Sequence, residues 1–128
     1  MKQGKLTAHG VRLEPHELET VVFFLNLGKD IELIKPSNTP NVKNADYFMD
    51  GLIWEAKSPR GASKYLVRDT LLRALKQSEH IIVDLRRTKQ HPTRCLRELE
   101  KYFQVYQRVK NLKVITRDGR LIEYVRKI

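Results

Sequence analysis

The spacing of apolar positions changes several times along the chain, and each change marks an element. From Glu14 to Leu27 the residues Leu18, Val21, Val22 and Leu25 recur at the three- and four-residue spacing of one helical face. Pro15 suits the first turn of that helix and Gly28 suits its stop. Asp30 to Ile34 reads as a short strand, closed by Lys35-Pro36 and a polar loop from Ser37 to Asn44. Tyr47 to Met49 and Leu52 to Ala56 then flank Asp50-Gly51. A two-residue Asp-Gly link predicts a tight antiparallel hairpin, because both turn positions need a positive φ that these two residues tolerate.

After the breaker Ser58-Pro59-Arg60-Gly61, helical spacing returns over Ser63 to Ser78. Leu66, Thr70, Leu71 or Leu72, and Leu75 share one side, with Arg and Lys interleaved. Ile81-Ile82-Val83 is a β-branched run of the kind buried on both faces of a sheet, which predicts a central strand. Pro92 opens a third helix to about Lys110, with Cys95 or Leu96, Leu99, Phe103 and Tyr106 at helical spacing. Val114 to Thr116 and Leu121 to Val125, joined by Arg117-Asp118-Gly119, make a closing hairpin. The predicted order is α-β-β-β-α-β-α-β-β, a mixed sheet flanked by helices in the α/β or α+β class.

With 128 residues, the chain has the length of a single domain spanning 1–128. Hydrophobic residues make up 41% and charged residues 31%, a globular balance. No apolar run approaches the ~20 residues needed to cross a bilayer. The opening MKQGKLTAHG has no apolar core and no small-residue cleavage site, so neither a membrane span nor a secretory signal is expected in this sequence. The single cysteine, Cys95, excludes an internal disulfide and a cysteine-rich zinc cluster, and its helical position predicts burial. Twenty-five Lys and Arg against fifteen Asp and Glu leave +10, which favours a polyanionic partner such as nucleic acid. A basic domain that binds nothing in particular has the same balance.

The candidate chemistry gathers on the first hairpin. Across a two-residue turn, positions whose numbers sum to about 101 lie opposite each other, which sets Asp46 against Glu55. Glu55 and Lys57 are two apart and so project from the same side of their strand. Two facing carboxylates repel unless a cation sits between them. The arrangement therefore suits a hard divalent cation such as magnesium or manganese, and equally an ordinary Glu55–Lys57 ion pair at the surface. His9, His16 and His80 lack metal-ligand spacing, and His91 before Pro92 reads as a helix start. No G-x-S-x-G, Walker or G-x-G-x-x-G string occurs, so serine hydrolysis and nucleotide cofactors are not supported.

The segment ADYFMDGLIWEAKSP, following a helix, a Gly turn and a short strand and preceding a basic helix, resembles the PD-(D/E)XK nuclease superfamily over about residues 14 to 85. The similarity is nearest to the C-terminal nuclease domains of contact-dependent growth inhibition toxins, and more distant to archaeal Holliday-junction resolvases. It implies a restriction-endonuclease-like core over 14–85, with the helix and hairpin of 91–128 appended. It also implies metal-dependent phosphodiester hydrolysis with Mg²⁺ or Mn²⁺, or Zn²⁺, acting on RNA, tRNA in particular. A DNA endonuclease or a non-cleaving binding module on the same fold are the alternatives. Asp46 and Glu55 would be metal ligands and Lys57 the motif lysine. Ala45 stands where the superfamily name has proline, a position that shapes backbone and binds no metal.

A helix-one glutamate completes such sites. Glu17, eleven residues before Gly28, matches that place better than Glu19, which points away by about 200°. Gln77 takes the supporting polar position at the end of helix two. Arg60, Lys64, Arg68 and Arg73 around helix two, and Arg86 and Arg87 after the buried strand, are candidate phosphate contacts. Solvated basic faces have the same composition. Action in the cytoplasm and an acidic immunity protein as partner also follow from the resemblance.

Overall fold

The computed structural model describes residues 2–40 and 43–126. Ten elements follow in the order β1 (Leu6–Thr7), α1 (Pro15–Asn26), β2 (Ile31–Leu33), β3 (Tyr47–Met49), β4 (Leu52–Lys57), α2 (Leu66–Leu75), β5 (His80–Asp84), α3 (Pro92–Val105), β6 (Asn111–Ile115) and β7 (Leu121–Val125). The strands form one seven-stranded mixed sheet in sequence order. β2, β3 and β4 are an antiparallel meander, β4, β5 and β6 run parallel, and β6 and β7 are antiparallel.

Alternation of side chains along each strand divides the core into two apolar layers. Ile81, Val83, Leu112 and Val114 pack against Leu71 and Leu75 of α2 and Cys95, Leu99 and Phe103 of α3. Ile31, Leu33, Tyr47, Trp54, Ile82 and Ile115 pack against Val21, Phe24 and Leu25 of α1. The mixed, helix-flanked sheet is the class expected from the apolar pattern. Between β4 and β6, β5 is buried along Ile81 to Asp84, as its β-branched run predicts. The position of Cys95 is likewise in the interior, with no exposed surface.

Several details differ from expectation. β1 is an additional strand, parallel to β2, and two residues are too few to leave a periodicity. The inward face of α1 is Thr20, Val21, Phe24 and Leu25, while Leu18 and Val22 are 44% and 37% exposed. The stripe is rotated because the Thr20 hydroxyl donates to the buried Asp84 carboxylate at 2.7 Å, which lets a polar residue face the sheet. α2 buries Leu71 rather than Leu72. α3 ends at Val105, short of the expected Lys110. There the Lys110 and Asn111 amides donate to the Glu79 carbonyl and draw the chain into β6, which starts earlier than the apolar run at Val114. Among the described residues no helix is long and apolar enough to cross a membrane.

Candidate active site

The turn joining β3 to β4 has positive φ at both central residues, 54° at Asp50 and 75° at Gly51. That is the tight-hairpin geometry, and it sets the pairs Met49–Leu52, Phe48–Ile53 and Tyr47–Trp54 as the sequence predicts. Asp46 then departs from the ladder. Its amide donates to the Trp54 carbonyl at 2.9 Å, and its carbonyl accepts from the Ile34 amide of the neighbouring chain segment at 2.9 Å. The Asp46 carboxylate accepts the Ala56 amide at 2.8 Å. The backbone amide lying between Glu55 and Lys57 therefore anchors the third polar group of the hairpin.

Glu55 is only 5% exposed. Its Oε2 pairs with Lys57 Nζ at 3.1 Å. Its Oε1 is buried with no hydrogen-bond partner among the described residues. Burial, and then the neighbouring Asp46 charge, push the Glu55 carboxyl up to about 7 despite Lys57. Burial also raises Asp46, partly opposed by the Ala56 amide. Burial and, for Glu55, the neighbouring charge thus oppose ionisation of two adjacent carboxylates. Lys57 is about a third exposed, and Asp46 is half-buried, so both reach solvent while Glu55 does not.

These groups line a cavity of about 300 Å³, which α1 closes with His16, Glu17 and Thr20. Glu17 is thus brought to the site and Glu19 is not, since Glu19 borders the outer groove of α1 beside Leu18 and Val22. One Glu17 oxygen is engaged already. It accepts the Glu14 amide at 2.8 Å in a reciprocal cap of the helix start. Among the described residues no three His, Cys, Asp or Glu side chains are placed to hold a metal ion together. The donor set at the cavity is therefore two hard carboxylates, Asp46 and Glu55, with Glu17 on the wall. The unpartnered Glu55 oxygen and the mutual destabilisation of the two charges fit one divalent cation that keeps several waters.

The other predicted residues separate into two groups. Arg60, Arg73 and Arg87 border a second recess that shares Lys57 and Ser58 with the first. Arg86 is engaged within the fold. Its guanidinium bonds the buried Asp84 at 2.8 to 3.3 Å and the Glu19 carbonyl at 3.0 Å, which ties α1 to the end of β5. Arg68 pairs with Asp69 and lies 4.3 Å from the Tyr65 ring centroid, with Lys64 at 5.0 Å from the same ring. Gln77 is not brought to the cavity. Its Oε1 accepts the Asn44 amide, and it precedes β5 while the carboxylates lie toward the end of β4.

Four residues at the site escape sequence reasoning: His16, Thr20, Ser58 and Tyr47. Thr20 breaks an apolar stripe, the one signal that marks an inward polar contact. Tyr47 reads as an ordinary strand aromatic, yet its hydroxyl is buried without a partner among the described residues. Burial and then Asp46 and Asp84 raise it above the ordinary phenol range. His91 accepts the Thr93 amide and opens α3, as expected of a helix start.

A family model described as the contact-dependent growth inhibition CdiA C-terminal domain matches residues 43–121, more than half of the chain and inclusive of the hairpin site. Among solved structures, the chain is similar to one described as a CdiA-CT/CdiI toxin and immunity complex from Burkholderia pseudomallei. The TM-score is 0.69 and the identity 19%, over 96% of this chain and 100% of that one. At that identity the likeness concerns the fold. No curated protein matches the chain.

Proposed function

The chain belongs to the contact-dependent growth inhibition CdiA C-terminal domain family, and from that premise we propose that it is a toxin domain hydrolysing phosphodiester bonds in nucleic acid at Asp46, Glu55 and Lys57. The observation that carries this reading is the Glu55 carboxylate, buried beside Asp46 with one oxygen unpartnered among the described residues and the other 3.1 Å from Lys57. Two acids held so close together out of water are costly unless positive charge joins them, and Lys57 engages only one of the Glu55 oxygens.

Asp46 and Glu55 would hold a divalent cation, Mg²⁺ or Mn²⁺ with Zn²⁺ as a further choice, which supplies phosphate polarisation and a more acidic bound water. The Ala56 amide fixes the Asp46 carboxylate without neutralising it. Lys57 keeps a solvent-reaching ammonium beside the two acids, where it stabilises the negative charge that grows on a phosphoryl oxygen during attack. Glu17 adds negative charge at the wall and leaves one oxygen for a water. The tight hairpin keeps these groups in place before substrate arrives, so little reorganisation is needed at the reacting centre.

The substrate class rests on charge and resemblance. A net charge of +10 favours a polyphosphate chain, and the similarity to growth-inhibition nuclease domains favours RNA, tRNA first, met in the cytoplasm of a target cell. An acidic immunity protein is the partner suited to so basic a chain, and the structurally similar protein is itself described in a toxin and immunity complex.

Incubation of a tRNA pool and of plasmid DNA with Mg²⁺, Mn²⁺ or Zn²⁺ tests the reading, with Glu55→Ala and Lys57→Ala as controls. Metal-dependent cleavage of tRNA, lost in both variants, is the expected result. Cleavage of plasmid alone replaces RNA with DNA. Binding of both without cleavage of either reduces the protein to a binding module.

A further inference from the structure

We propose that the recess formed by Arg60, Arg73 and Arg87 is a phosphate subsite that receives the backbone phosphate next to the one cleaved. This inference rests on the nuclease reading and adds the place at which the flanking strand is gripped. The recess has a volume of about 360 Å³ and opens from the carboxylate cavity across Lys57 and Ser58, residues common to both walls. Its lining includes four cationic side chains and no acidic one.

Charge availability separates these arginines from the rest of the basic surface. Arg86 and Arg68 already have carboxylate partners, Asp84 and Asp69. Arg60, Arg73 and Arg87 have none among the described residues. Arg73 donates Nε to the Asp69 carbonyl at 3.3 Å, and Arg87 donates Nε to the Ser58 carbonyl at 3.2 Å. Each bond uses the inner nitrogen and leaves both terminal nitrogens without a partner among the described residues, the pair that forms a two-point contact with a phosphate. Arg87 is half-buried, so its guanidinium is held in position before any ligand binds. Carbonyl bonds orient such a group without cancelling its charge.

Connection to the reaction follows from the shared wall. Lys57 faces both spaces, so a strand whose reacting phosphate lies at Asp46 and Glu55 continues past Ser58 into the arginine recess. A phosphate contact of this kind positions the chain and carries no base information. Its energetic signature is salt dependence, because each neutralised phosphate releases counterions.

The test measures binding of an end-labelled tRNA to the full chain carrying Glu55→Gln, across a series of salt concentrations in chelator. Wild-type cleavage with Mg²⁺ or Mn²⁺ is measured in parallel. Arg60→Gln, Arg73→Gln and Arg87→Gln are compared with Arg68→Gln and with Lys101→Gln, which removes the same charge from α3. Arg60 and Arg73 are exposed, so their variants are expected to retain the wild-type melting temperature. Each recess variant is expected to weaken binding about tenfold and to reduce the slope of log affinity against log salt by about one. Arg68→Gln and Lys101→Gln stay within about twofold of the parent. If Arg60→Gln and Arg73→Gln bind as Lys101→Gln does while wild type still cleaves, the subsite is wrong and the nuclease reading stands. If wild type neither binds nor cleaves tRNA or DNA, both fall.

Discussion

The Asp46 carboxylate accepts the backbone amide of Ala56 at 2.8 Å, so one acid of the site is fastened to the strand that bears the other. The amide needs only an oxygen acceptor, whereas a cation needs charge. Asp46→Asn, whose side-chain oxygen still accepts, is therefore expected to melt at or above the wild-type temperature in chelator. Its cleavage rate falls by roughly a hundredfold or more. Asp46→Ala loses the anchor as well and is less stable by about 1–2 kcal/mol. Thermal melting and cleavage of the two variants side by side check this separation. Equal melting of Asn and Ala variants would remove the anchoring role.

Glu55 gives the metal-free chain a pH dependence of definite sign. Its carboxyl is raised from 4.5 in an ordinary setting to about 7 in the fold, so the folded state holds the proton more tightly. The stability this contributes is complete below pH 4.5 and is lost as pH rises through about 7. In chelator at pH 8, Glu55→Gln is therefore expected to be more stable than wild type by about 1–3 kcal/mol, a range that allows for relief by Lys57. At pH 5 the difference shrinks. Denaturant titrations at the two pH values measure it, and a Glu55→Gln chain no more stable than wild type at pH 8 contradicts the burial of a charge that Lys57 compensates only in part. Added Mn²⁺ raises the melting temperature of wild type but not of the variant.

The Arg86–Asp84 pair joins α1 to the end of β5, and its expected role is structural. Asp84 is buried and also accepts the Thr20 hydroxyl, so removing the guanidinium strands a charge in the interior. Arg86→Met is expected to cost about 2–4 kcal/mol of stability. Adding Asp84→Asn recovers part of that loss. Cleavage by the folded fraction of Arg86→Met, measured below its melting temperature, remains within a few-fold of wild type. A large activity loss at unchanged stability would return Arg86 to the substrate surface.

Gly51 adopts a φ of 75°, a left-handed backbone. Space is available for a methyl group there, since an added Cβ meets nothing within 4 Å, so the penalty is conformational. Gly51→Ala is expected to destabilise the hairpin by about 1–2 kcal/mol, Gly51→Asn by less and Gly51→Val by more. Melting temperatures in the order Gly, Asn, Ala, Val check the claim. An Ala variant as stable as wild type shows that the turn relaxes without this geometry.

Where local chemistry decided the structure, the sequence was a good guide. Asp50-Gly51 set the hairpin register, Pro15 and Pro92 opened α1 and α3, and Ile81-Ile82-Val83 became a buried interior strand. Register in turn brought Asp46, Glu55 and Lys57 to one cavity, and Glu17 joined them because α1 packs its Val21 side on the meander. Long-range pairing was not legible. Asp84 stands only two residues before Arg86, but nothing in the sequence announces that the Glu19 carbonyl, 67 residues away, will share the guanidinium, so one cation in a basic run looked like the next. Thr20 gave the reverse problem, a polar residue whose inward direction depends on an acid 64 residues away. The contact of Gln77 was hidden for a similar reason, because its partner, Asn44, lies in a loop that carries no pattern of its own.

Cleavage of end-labelled tRNA by wild type, Glu55→Gln and Lys57→Met tests the central claim most directly. Each protein is assayed first in chelator and then after addition of Mg²⁺ or Mn²⁺, under conditions where all three are shown to be folded. The account predicts no cleavage in chelator, cleavage by wild type once metal is added, and a loss of roughly a hundredfold or more in each variant. Cleavage that persists in chelator, or variants that cut as fast as wild type, would place the chemistry elsewhere on the molecule.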